Sequence, residues 1–590
     1  MKVSRFGKNE IICDFTSDSQ REMFQAITGG RKVRRQCSVI INIKAIHQVS
    51  LVEEPVSWTP DAKAVYDTVL ARRAARTSTI KKIRGAYGNQ KFDYEYKGIY
   101  DCVLEHQKVM YNVMTHVDVA CVDSDPGTGK TAPYLMAIDK RISKGQVKKA
   151  LIITLSTLKE NVLAEMQAQV PSLRGVILDS SKRADLILNK KYKVKKYNAD
   201  YDVYIASYEL MRSIVDLFCD EYFQMVILDE CHRIGSSTSK QTDAIITKFT
   251  SIPYKYILSG TIHANNLMSF YMPFKFLGDD ILPFSSYDYF KNVHMRPVDK
   301  DGYVWVPKPG AKNEVQKIFD SVSVAFKKQD CLDLPDLIFE TVYGELEGDQ
   351  KETYTEFNKE LVASISEMCS KCNFKGGDMC DMSCKESIEA KSALTLCGKL
   401  LQIASGFYIN TRSKVDEFGR VHNESNTISF KCNPKIKLLD QVISSIPDDR
   451  KIIIWATRVH ALDTLCQHIA AMYGKDSYLR CYGDDNAFDV VNRFRSGNER
   501  FVVANQTKMG VGHNVQFSEY QIFYMNSYSY IVRDQSIGRQ HRQGQKNKVT
   551  VFDLIMKDTI EVKLLNALRS KGDLNINLSL LARPYKRLNG

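Results

Sequence analysis

The residues best suited to chemistry fall into three groups along a chain of 590 amino acids. The first is Ser124-Asp125-Pro126-Gly127-Thr128-Gly129-Lys130-Thr131, which follows an apolar run ending near Val122 and leads into the helix-like TAPYLMAIDK. In a strand, loop and helix of this kind, glycines let backbone amides approach phosphate oxygens. Lys130 can reach the β and γ oxygens, and the Thr131 hydroxyl can hold magnesium. The second is Asp229-Glu230, at the end of the apolar run MVIL. Adjacent carboxylates at the carboxyl edge of a sheet suit a magnesium shell (Asp229) and the orientation and deprotonation of an attacking water (Glu230), as phosphoryl transfer requires. The third is Cys369, Cys372, Cys380 and Cys384, four of the chain's 15 cysteines, around a Gly-Gly step. Four soft ligands so close together suit a tetrahedral zinc stapling a short insertion, with an iron-sulfur cluster, disulfides and unliganded thiols as the alternatives.

The surrounding pattern shows what must position these groups. From Tyr100 to Phe276, short apolar runs (ACVDSD, ALIITL, YDVYIAS, FQMVILDE, YKYILSG) alternate with helix-like segments. From Pro434 the alternation resumes with KIIIWAT, SYLRCYG, RFVVANQ, YQIFYMN and KVTVFDLI. Such alternation predicts two parallel sheets covered by helices, an α/β chain of two tandem domains. We therefore expect an N-terminal accessory domain over residues 1–95, a first α/β domain over 96–276, a connector carrying the cysteine insertion over 277–433 and a second α/β domain over 434–590. In the accessory region a strand-like run starts at Ser38 and a helical stretch at Asp61, followed by the basic run ARRAARTSTIKKIR, which suits contact with DNA as well as it suits a solvated face.

With 44% hydrophobic and 26% charged residues the chain can bury several cores, which excludes wholesale disorder. No apolar run is long enough to span a membrane, and MKVSRFGKNEIICDF lacks a signal-peptide core, so the expectation is a cytoplasmic, non-secreted protein with reduced thiols. The formal charge of +13 suits an anionic polymer as partner. Abundant lysine, asparagine and tyrosine would suit a phage or other viral protein acting in its host's cytoplasm.

The order DSDPGTGKT, LIITLSTLKENVL, YDVYIASYEL, LDECHRIG, LSGT, IIIWATRVHALDTL and RDQSIGRQHRQGQ resembles superfamily-two helicase-like ATPases of the Swi/Snf type, across about residues 100 to 570. Gln535, Arg539, His541, Arg542, Gly544 and Gln545 match the sixth motif of that family nearly letter for letter. Three departures stand out: Cys231 replaces the usual alanine of the acidic box, Ile262 the usual proline after LSGT, and Asn505 to Asn514 match the fifth motif loosely.

The resemblance implies two RecA-like domains that close over ATP and Mg2+, with Gln107 at the adenine edge, Gln535 in the nucleotide site, and Arg539 and Arg542 reaching the phosphates from the second domain. It also implies a track for double-stranded DNA gripped by its phosphates, with contacts at Ser156, Thr157, Lys159, Ser207 and Tyr208 on the first domain and Arg458, Thr507 and Lys508 on the second. The function so implied is ATP-dependent translocation on duplex DNA, with branched or forked DNA as the preferred substrate and replication or recombination proteins as further partners. Displacement of chromatin or other proteins, strand separation, and a catalytically weak DNA-binding scaffold are the alternatives.

Overall fold

The computed structural model describes residues 1–6, 10–15, 17–28, 31–33, 38–42, 56–87, 103–178, 201–215, 218, 222–260, 262, 267–282, 284, 286–297, 305–370, 387–415, 421–510 and 514–570. The chain divides into two compact units. One comprises residues 1–296 and 305–332, and the other 297–304 and 333–590.

The first unit is built on a seven-stranded sheet in the order Ser323–Phe326, Val119–Ser124, Tyr254–Ser259, Met225–Asp229, Ala150–Thr154, Val203–Ser207, Gly175–Ile177. Every pairing is parallel. Ala150–Thr154, Val203–Ser207 and Met225–Asp229 are buried along their whole length, which is why they read as unbroken apolar runs. The register sets Asp229 beside Leu258 and Ser259 beside Asp123. The carboxyl ends of three neighbouring strands therefore present the phosphate loop, the Ser259-Gly260 turn and the acidic pair along one edge of the sheet.

The N-terminal region forms its own five-stranded sheet around Val3, Ile11, Cys13, Phe24 and Val39. It is followed by the 27-residue helix Pro60–Ala86, which takes in the basic run. That run divides by burial. Arg76 is buried, with its guanidinium bonded to both oxygens of Asp118 (2.7 and 2.8 Å) and to Asp280 at 2.9 Å. Thr77 bonds the Ser321 carbonyl at 3.1 Å, and Arg84 donates to Ser323. Arg72, Lys81 and Lys82 remain exposed.

The second unit carries a six-stranded parallel sheet in the order Leu337–Gly344, Val549–Met556, Tyr520–Phe523, Ile452–Ala456, Phe501–Asn505, Tyr478–Cys481. The five runs expected after Pro434 are all strands. The stretch expected as a connector contributes to both sheets, through Ser323–Phe326 in the first unit and Leu337–Gly344 in the second. Short alternating runs in charged surroundings, SVAF and LIFETVYG, hide the strand signal. The hairpin Phe407–Val415 and Val421–Ser429 was likewise not expected.

Candidate nucleotide site and its second-unit motifs

The phosphate loop turns through Gly127 (φ 91°) and Gly129 (φ 78°), left-handed conformations that glycine adopts without strain. A side chain at Gly260 would lie 2.8 Å from both the Ser124 carbonyl oxygen and Pro126, so a glycine is what lets the neighbouring strand end close against the loop. Thr128, fully buried, ties the loop together: its hydroxyl bonds the Ser124 hydroxyl at 2.6 Å and the Asp125 carbonyl at 2.9 Å. Lys130 is folded onto the loop it follows, with Nζ 2.8 Å from the Ser124 carbonyl. Thr131 opens the helix Thr131–Ser143, whose amino end faces the loop and favours anions.

Gln107, expected at an adenine edge, supports the loop from behind. Its amide nitrogen donates to the carbonyls of Thr128 (3.2 Å) and Gly129 (3.1 Å), while its oxygen accepts the Leu104 N–H at 3.0 Å. His106, not singled out from the sequence, bonds the Thr128 carbonyl at 2.9 Å. The other edge of the loop is held where Asp125 accepts the Lys328 N–H at 2.8 Å.

Asp229 and Glu230 are both buried. Thr154 donates to Asp229 at 3.3 Å. Burial, reinforced by the Glu230 charge and opposed by Lys130, pushes the Asp229 carboxyl up to about 7. Glu230 has left-handed backbone (φ 56°), strain of a kind that clusters at active sites. Its carboxylate lies 3.3 Å from His232 Nδ1, which in turn is 3.5 Å from the Ser259 hydroxyl. Cys231, in the alanine position, is fully buried and acts as a small apolar residue. Asp123, the next-to-last residue of the strand Val119–Ser124, carries no motif signal of its own in the sequence. Burial raises it to about 6 against the pull of Lys327 and Lys130, and its Oδ1 is buried without a hydrogen-bond partner.

These residues fit a nucleotide triphosphate with magnesium. The loop offers amides and a lysine, while Asp229 and Thr131 would hold the cation. Magnesium would neutralise phosphate charge there and supply the Lewis acidity that phosphoryl transfer uses. Among the described residues, no group of three or more His, Cys, Asp or Glu side chains forms a metal site by itself. Of the clustered cysteines, Cys369 lies near the end of the helix Gly348–Ser370, and Cys372, Cys380 and Cys384 lie outside the described residues.

On the second unit, the helix Tyr530–Ile537 runs into Gly538 and Arg539. Arg539 is buried, its Nε donating to the Gln535 carbonyl at 3.0 Å. Arg542 donates to the side chain of Asn514, the asparagine of the loosely matched fifth motif. Gln535 is buried with its Nε2 lacking a partner.

The expected DNA contacts divide by exposure. Ser156 and Thr157 open the short turn Ser156–Leu158 ahead of Lys159, with Ser156 exposed. On the second unit Arg458 and Thr507 are exposed, and Lys508 donates to the Gly483 carbonyl. Ser207 and Tyr208 point inward. Ser207 caps the helix Tyr208–Ile214 by accepting the Leu210 N–H, and fully buried Tyr208 donates to the Asp229 carbonyl at 2.8 Å. As placed, Tyr208 braces the acidic pair and presents nothing to a surface track. An apolar strand followed by a helix shows where a tyrosine lies but not which way it turns.

An SNF2-related domain model matches residues 106–395. The TATA-binding protein-associated factor BTAF1 of Arabidopsis thaliana is 23% identical over 496 residues, 76% of this chain and 24% of that protein. The human DNA repair and recombination protein RAD54B is 23% identical over 492 residues, 77% of this chain and 51% of that protein. The chain thus spans about a quarter to a half of these relatives. Among solved structures, the Sulfolobus solfataricus SWI2/SNF2 ATPase core in complex with dsDNA is 21% identical, with a TM-score of 0.38, covering 82% of this chain and 95% of that one. With its motifs in this order and that model matched, the chain carries an SNF2-related domain over residues 106–395.

Proposed function

We propose that the chain is a DNA-dependent ATPase that translocates on double-stranded DNA and remodels forks or junctions. The observation that carries this reading is the convergence of the Lys130 loop, Gly260 and the buried Asp229-Glu230 pair at one parallel-sheet edge, in an SNF2-related domain. In this reading Lys130 and the loop amides hold the phosphates, Asp229 and Thr131 the magnesium, and Glu230, oriented by His232, deprotonates the attacking water. Arg539 and Arg542 supply charge to the transition state, a contribution worth about 10³–10⁵ in rate in related systems.

Duplex DNA as the track is supported by the +13 charge and by the exposed Ser156, Arg458 and Thr507. A repair or recombination task is supported by the name of the RAD54B relative. Displacement of a DNA-bound protein is the second reading, in keeping with the BTAF1 relative, whose name associates it with a TATA-binding protein. Comparing ATPase stimulation by single-stranded, duplex, forked and four-way DNA separates these. Strongest stimulation by branched DNA supports the first reading, whereas equal stimulation by plain duplex and release of a bound protein supports the second. Cys369, Cys372, Cys380 and Cys384 are proposed to hold one structural zinc, which elemental analysis of the wild type and Cys372→Ser tests.

A further inference from the structure

Three residues after Tyr530, Arg533 leaves the helix that leads to Arg539 and lies against Asp553. The fork is bidentate: one terminal nitrogen is 2.7 Å from Oδ1 and the other 2.9 Å from Oδ2. The two side chains are 4% and 0% exposed. Asn526 serves both partners, accepting from Arg533 and donating to Asp553 at 3.3 Å. The guanidinium also stacks over Phe523, its carbon 4.4 Å from the ring centroid. Asp553 is the one charged residue in the strand VTVFDLIM. From the rim, Arg569 reaches the same carboxylate at 3.3 Å and Thr341 at 2.6 Å.

A buried ion pair is seldom the most stable way to fill such a space, since apolar residues of similar volume often do as well or better. What a planar fork adds is orientation, because two parallel hydrogen bonds fix the rotation of the helix that carries the arginine. Arg539 is tied to that same helix through the Gln535 carbonyl at 3.0 Å, two residues beyond Arg533. Any rotation or tilt at Arg533 is therefore carried to Arg539, and a displacement of about 1 Å at a reacting centre can cost about 10²-fold in rate.

We propose that Arg533 and Asp553 are the positioning pair of the motif-six arm: the fork sets the orientation of the helix Tyr530–Ile537 and so aims Arg539. The proposal rests on the reading above in which Arg539 acts on the phosphates. It assigns no contact with ATP to either partner. The ATP-binding loop belongs to the other unit, so disturbing the pair should lower kcat and leave the KM for ATP nearly unchanged.

The test is DNA-stimulated ATP hydrolysis by the full chain, with thermal melting as a record of folding. Arg533→Lys shortens the base and replaces the fork by a point charge, and Asp553→Glu lengthens the acid. Each should lower kcat about tenfold or more, with KM for ATP within about twofold of wild type. The double variant R533K/D553E restores the combined reach but not the planar fork, so it should recover part of that loss and stay below wild type. Arg569→Ala removes the rim partner of the same carboxylate and should leave kcat within about twofold. Wild-type kcat in both single variants, a loss that merely follows the unfolded fraction, or a double variant no better than the singles would overturn the proposal. If one single variant does not fold, the other and the double decide by the same criteria. Arg539→Ala separates the two levels: wild-type turnover there removes the underlying reading, whereas an inactive R539A beside fully active R533K and D553E removes only the positioning role.

Discussion

Lys130 and Glu230 are single residues whose loss should be felt in turnover with little effect on folding. Lys130→Ala and Glu230→Gln are each expected to cut DNA-stimulated ATPase about 10³-fold or more while duplex binding persists, because positioning and charge neutralisation act as a unit. Asp229 adds a stability signature. Its carboxyl is raised by burial and by Glu230 from 3.8 to about 7. The folded chain therefore holds this proton more tightly than the unfolded chain, and stability from this site falls as pH rises from about 4 to about 7. Asp229→Asn removes that penalty. Without magnesium or nucleotide, the variant should melt above wild type at pH 8. The gain should vanish near pH 4, and the variant should be inactive as an ATPase. Melting curves at the two pH values check the sign.

Among the elements, the helix Pro60–Ala86 locks the N-terminal region to the first sheet. Arg76 bridges Asp118, at the root of the strand that leads to the phosphate loop, and Asp280. Arg76→Ala leaves two partly buried carboxylates unpaired and should cost about 2–4 kcal/mol of stability, with near-normal turnover at temperatures where the chain stays folded. A calorimetric scan alongside ATPase measurements at low temperature would show both. The basic run of that helix suggested a polyanion surface, and only burial reveals that Arg76 and Arg84 face the protein, since neither charge nor helical spacing says what a helix packs against. The central strands were legible because parallel strands buried on both faces need continuous apolar runs, as in ALIIT and IIIWA. The edge strands Gly175–Ile177, Ser323–Phe326 and Leu337–Gly344 were not, being short or half-exposed. The same contrast holds within the site. Lys130, Asp229 and Glu230 announce themselves by type and spacing, whereas Asp123, Tyr208 and the Arg533–Asp553 fork are defined by partners distant in sequence.

At the scale of the molecule, the two parallel-sheet units carry complementary motifs, and the proposed work is cyclic gripping of a duplex as ATP is bound and hydrolysed. Such a grip draws on phosphate contacts. Affinity should therefore fall steeply with salt, with a logarithmic slope of about −0.9 per neutralised phosphate and little dependence on sequence. The most direct test of the central claim is ATP-driven displacement of a triplex-forming third strand from duplex DNA by the full chain, with Glu230→Gln as the inactive control. The account predicts displacement that requires ATP and is lost in E230Q, with little unwinding of a blunt duplex. Efficient unwinding of linear duplex without third-strand displacement, or ATPase activity stimulated only by single strands, would contradict it.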